Sequence, residues 1–102
     1  MKEFDIFIPL TYNDGSSIEP EKFLALRKRL LDSFNGFTFF PQPNKGFWKM
    51  DEVVYQDEIV VYRVVSKYVR TARAYIRRLK EDLKRDLRQE EIFIIERDVE
   101  TL

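Results

Sequence analysis

The sequence contains no cysteine and no histidine. Without cysteine, disulfides, thiolate nucleophiles and cysteine-ligated zinc are excluded. Without histidine, the chain lacks the commonest general base near neutral pH and the commonest ligand of zinc, copper and iron. Any chemistry falls to carboxylates, Tyr, Lys, Ser and Thr, or to a borrowed cofactor. Asp14 and Asp51 lack the spacing of a calcium loop, so no metal is assigned, and no residue pattern names a cofactor, so none is expected. An excess of charge is missing too: 18 basic and 18 acidic residues cancel. No segment approaches the ~20 apolar residues of a membrane span. The opening run Met1-Lys2-Glu3-Phe4-Asp5 lacks the apolar stretch of a signal peptide, so the expected location is the cytoplasm.

What is present is bulky apolar material. Hydrophobic residues make up 44% and aromatics 15%, with nine Phe and five Tyr, too much for a disordered chain despite 35% charged residues. A chain of 102 residues forms one core, and residues 1–102 are expected to be one domain.

Phe4, Ile6, Ile8 and Leu10 alternate with Asp5, Phe7 and Pro9, which predicts a first strand over residues 4–10 with the even positions inward. A loop follows, from Thr11 to Ser17. Glu19-Pro20 opens a helix with a stripe of Phe23, Leu26, Leu30 and Phe34, reinforced by Leu24 and Leu31, and Asn35-Gly36 stops it. Residues 36–41 read as a short second strand. Gln42-Pro43-Asn44-Lys45-Gly46 reads as a hairpin loop, with Asn and Gly supplying positive φ. Phe47-Trp48 then begins a returning strand, interrupted at Asp51-Glu52 and continued by the β-branched run Val53 to Ser66. Val69, Ala72, Ile76, Leu79, Leu83 and Leu87 define a second helical seam, and residues 91–97 a last strand.

This order, strand-helix-strand-strand-helix-strand, predicts a ferredoxin-like α+β domain: a four-stranded antiparallel sheet with two helices on one face. The other face then carries Phe7, Phe93 and Ile95 with half of the long strand. An apolar patch of that kind marks an interface, so a homodimer or higher homo-oligomer through the sheet face is expected. The leading expectation is a non-enzymatic, self-associating binding or interaction module. A second is a dimeric α+β barrel type of small-molecule enzyme or ligand binder, with Trp48, Tyr55, Glu58, Arg63 and Arg73 around the pocket.

A third expectation comes from Lys67 to Lys80, which holds six basic residues (Lys67, Arg70, Arg73, Arg77, Arg78, Lys80) and no acid. It is a candidate nucleic-acid footprint on the second helix. A solvated helix face partly neutralised by the acidic segment Glu90 to Glu100 is the favoured account, because nucleic-acid binders usually carry net positive charge. Asp57 and Glu58, as consecutive strand residues, point to opposite faces and form no dyad. Whichever lies under the helices needs a partner such as Arg73 or Arg77. Trp48 and Tyr12 are each read as either core caps or binding anchors. The strands lack the motif that lets RNA-recognition sheets stack bases on their aromatics.

Asp14-Gly15 before the first helix, Gly36-Phe37-Thr38 opening a strand, Gly46-Phe47-Trp48, Glu58 in the long strand and Gln89-Glu90 before the last strand together resemble an uncharacterised bacterial family of small α+β domains. The family pattern has a basic residue before its strand Glu, where this chain has Asp57. The resemblance implies a fold and no activity.

Overall fold

The alternation that begins at Lys2 gives strand β1 (Lys2–Pro9), seen in a computed structural model that describes residues 1–102. Phe4, Ile6 and Ile8 on its even side are at most 2% exposed. Helix α1 (Pro20–Phe34) starts with proline in its first turn, where a missing N–H costs nothing, and ends where Asn35 turns left-handed at φ 61°. Strand β2 (Thr38–Met50) and strand β3 (Val53–Ser66) form a long hairpin. Helix α2 (Val69–Asp86) and strand β4 (Ile94–Asp98) complete the chain.

The sheet order is β2-β3-β1-β4, every neighbouring pair antiparallel. Each helix connects two parallel strands separated by a third, which is the ferredoxin-like arrangement. One face of the sheet supplies Phe4, Ile6, Ile8, Val60, Tyr62 and Val64 to the core. Leu26 and Leu30 of α1 and Ala72, Ile76, Leu79 and Leu83 of α2 close over them, with Leu87, Ile92, Tyr12 and Ile18 sealing the ends. Burial of such side chains contributes about 1.5–3 kcal/mol each. Leu24 and Leu31 do not join the stripe: they are 61% and 50% exposed, because α1 touches the sheet along a narrower arc than the sequence suggested.

The hairpin departs most from expectation. Gln42 to Gly46 is no loop; it lies within β2, and the turn falls at Asp51-Glu52, both at positive φ (47° and 71°). The two prolines are tolerated because β2 is an edge strand, where a missing N–H faces outward. Between the pairs Phe40↔Val61 and Asn44↔Ile59, residues 41–43 of β2 oppose only Val60 of β3. This bulge absorbs Pro41 and Pro43 while keeping even-numbered β2 residues on the helix-free face on both sides of it. Beyond the bulge the hairpin becomes an arm that projects past the helices, and the molecule is 42 Å in its longest dimension.

Candidate functional site

The helix-free face has an ionic centre. Asp5 and Arg63 are directly opposed across β1 and β3, and Glu3 and Arg97 across β1 and β4. Strand alternation sends all four side chains to the same side, the one opposite Phe4 and Ile6. Arg63 donates to Asp5 through Nε (2.8 Å) and Nη2 (3.1 Å), and Arg97 Nη1 donates to Asp5 Oδ2 at 2.8 Å and to Glu3 Oε2 at 3.0 Å. Glu3 also lies 3.1 Å from Arg63 Nε. The two guanidiniums cover the Asp5 carboxylate, which is only 5% exposed. The hydrogen bond from Arg63 holds the Asp5 carboxyl below its ordinary range, against the opposing effect of burial, and Arg97 adds to it. Asp5 is therefore ionised and a poor proton acceptor.

Beside this centre lies an open cleft of about 500 Å³, lined by Asp5, Phe7, Phe40, Pro41, Gln42, Asn44, Val61 and Arg63. The β2 bulge forms one wall. The Arg63 guanidinium sits 5.0 Å from the Phe40 ring centroid, a cation–π contact that fixes its plane. Apolar surface from Phe7, Phe40 and Val61, carboxamides from Gln42 and Asn44, and one oriented guanidinium make a surface suited to a planar polar molecule.

The residues expected to line one pocket are placed apart. Arg63 is in the cleft. Trp48 and Tyr55 are a cross-strand pair on the same face, but out on the arm. Glu58 points to the helix side, exposed and opposite Lys45. Arg73 is on α2, where its Nε donates to Glu96 at 2.7 Å. Because β3 runs past the helices, neither Asp57 nor Glu58 enters the core and neither takes Arg73 or Arg77 as a partner. The buried carboxylate is Asp5. Its signal was present in the sequence: Glu3 and Asp5 share one side of a strand, as do Arg63 and Arg97 on theirs.

The three expected interface residues lie together. Phe7 and Phe93 meet edge to face at 5.8 Å, and Ile95 is opposite Asp5 in register. Phe93 is 63% exposed. The hydrogen bond from Phe7 N–H to the Phe93 carbonyl (3.0 Å) extends the β1–β4 pairing one step before β4. On the arm, Phe47 and Val54 face the helix side while Trp48, Met50, Val53 and Tyr55 face the other, all substantially exposed.

Acids thin out the basic face of α2. Arg73 pairs with Glu96, Lys80 with Glu91 at 2.9 Å and Lys84 with Glu81 at 3.8 Å, while Arg88 stacks over Tyr12 at 3.9 Å. Tyr12 itself is buried, its hydroxyl donating to Glu19 and accepting from Lys22 Nζ at 2.6 Å. No three His, Cys, Asp or Glu side chains gather as a metal site, and no helix is long and apolar enough to cross a membrane.

The architecture places the chain among small ferredoxin-like α+β domains. No protein-family model matches the sequence, and no curated protein matches it. Two solved structures share the fold. One is a phage SAM lyase in complex with S-methyl-5'-thioadenosine, with a TM-score of 0.67 and 15% identity, over 95% of this chain and 80% of that one. The other is CutA1 from Pyrococcus horikoshii OT3, with a TM-score of 0.62 and 17% identity, over all of this chain and 86% of that one. At these identities the likeness is one of fold. It agrees with the small α+β class that the resemblance in the sequence implied.

Proposed function

We propose that this chain is a self-associating binding domain whose copies meet through the helix-free sheet face and the projecting arm. The observation that carries this reading is the arm, where Phe47 (62%), Val54 (65%), Trp48 (44%) and Tyr55 (47%) are exposed on two opposite faces of one hairpin. A lone two-stranded ribbon is marginal in water, and this one has no layer of its own chain on either side. Phe93, 63% exposed, adds a further aromatic on the helix-free face, beside the half-buried Ile95. Light scattering across a concentration series tests the reading. The expected result is an assembly that Phe93→Asp or Val54→Lys shifts towards monomer while circular dichroism is unchanged. A strict monomer at high concentration, unaffected by either change, rejects it.

The cleft supports a second reading, in which the domain holds a small planar ligand against Phe40 and Arg63. What supports it is the cleft's apolar floor of Phe7, Phe40 and Val61 beside the carboxamides of Gln42 and Asn44 and the Arg63 guanidinium. The phage SAM lyase of like fold holds a thionucleoside. The test is calorimetric titration with S-methyl-5'-thioadenosine, with Arg63→Lys expected to weaken binding by about ten-fold because a lysine loses the planar fork. Absence of heat at millimolar ligand rejects this reading for that ligand class. Self-association is judged separately by scattering.

A further inference from the structure

On the opposite side of the sheet, an apolar groove of about 330 Å³ lies between α1 and strands β2 and β3. Its walls include Leu10, Phe23, Leu24, Phe39 and Tyr62, and its single charged lining residue is Arg27.

Three arginines in the chain are half-buried: Arg27, Arg29 and Arg63. Arg29 holds Asp82 at 3.0 Å and Arg63 holds Asp5 at 2.8 Å. Arg27 has no carboxylate within ion-pair distance. Its Nε donates to the hydroxyl of the fully buried Tyr62 at 3.0 Å, and its guanidinium lies 4.5 Å from the Phe39 ring centroid. The Tyr62 hydroxyl, at the base of the groove and without exposed surface, takes its hydrogen-bond partner from Arg27. The same bond and the stacking lock the plane of the guanidinium and leave both terminal nitrogens without a protein partner. A fixed guanidinium with its forked edge free, at an apolar groove, is built for a carboxylate that brings its own apolar body.

The geometry points to this groove as a binding site for small monocarboxylic acids with an aromatic or branched apolar tail, the carboxylate on Arg27 and the tail between Phe23, Leu24 and Phe39. The full chain, labelled with 15N, is titrated with 3-phenylpropionate and, separately, with 3-phenylpropan-1-ol, which keeps the tail and removes the charge. The acid is expected to move the amides of Leu24, Arg27 and Phe39 saturably in about the millimolar range, and the alcohol to bind at least about ten-fold more weakly. Arg27→Gln abolishes the difference between them. Should Arg27→Gln fail to fold, Leu24→Glu, at an exposed position on the groove's rim, is expected to weaken the acid by a similar factor. Equal affinity for acid and alcohol overturns the proposal. So do shifts centred on Arg63 in place of Arg27, or no saturable response to the acid.

Discussion

Arg63 grips Asp5 with two hydrogen bonds, Nε to Oδ1 at 2.8 Å and Nη2 to Oδ2 at 3.1 Å, across the directly opposed positions of β1 and β3. The pair lies at the centre of the sheet's helix-free face, where a buried carboxylate without partners would be costly. Asp5→Asn keeps the shape and removes the charge. It is expected to destabilise the fold by about 1–3 kcal/mol. That is below the roughly 3–5 kcal/mol of a fully buried pair, because Arg63 and Arg97 keep access to water. Urea unfolding of the two proteins measures this, and a change under about 0.5 kcal/mol counts against a structural role for the pair.

Acid should act on the same group. The folded state holds the Asp5 carboxyl below its ordinary value, chiefly through the Arg63 hydrogen bond. A depressed folded-state value contributes stability that is present above about pH 4 and is lost as pH falls through the folded value. The stability gap between the native protein and Asp5→Asn is therefore expected to be widest near neutral pH and to shrink steadily below about pH 4. Unfolding curves at several pH values check it; a gap independent of pH would contradict the assignment.

Gly46 is where the indole of Trp48 lies on the arm. A methyl group at that position would sit 3.0 Å from Trp48 Cζ3 and 3.5 Å from Ile59 Cδ1, so the ring must tilt away. Alanine also restricts the unfolded chain, which favours folding by about 0.4–1 kcal/mol. The two effects oppose, and the net stability change for Gly46→Ala should stay within about 1 kcal/mol. Trp48 is the single tryptophan, so its emission reports the site cleanly, and a shift to longer wavelength is expected as the ring meets more water. An unchanged spectrum would mean the indole does not rest there.

Asp51 and Glu52 adopt the paired positive φ of a two-residue hairpin turn, a geometry that favours Asn or Asp followed by Gly. A left-handed conformation costs a residue with a Cβ about 1–2 kcal/mol. Glu52→Gly removes that cost and sacrifices an exposed ion pair with Lys49 worth little. A gain of up to about 1 kcal/mol is expected, read as slower amide exchange along the arm. Faster exchange would show that Glu52 holds the turn through its side chain.

The strand and helix periods carried most of the fold. Phe4-Ile6-Ile8 and the seam of α2 are regular enough that only one face of each could be buried. The sheet order then follows from two interleaved strand-helix-strand units. The hairpin was misplaced because turn chemistry is local: Pro41, Pro43, Asn44 and Gly46 signal a loop wherever they occur, while their acceptance in β2 depends on its being an edge strand with a bulge. Leu24 and Leu31 extended a helical stripe in the sequence, and nothing local says how wide an arc of α1 the sheet can reach.

By itself the sequence determined which side chains share a face, because alternation along a strand and spacing along a helix are properties of the backbone. That placed Phe7, Phe93 and Ile95 together on the helix-free side and left cysteine and histidine chemistry out. The tertiary structure alone decided which groups touch across that face and beneath α1. Asp5 meets Arg63 from 58 positions away, and Arg27 meets Tyr62 from 35 positions away. Register between distant strands and the seating of a helix on its sheet are set by packing of the whole core, which no local period encodes.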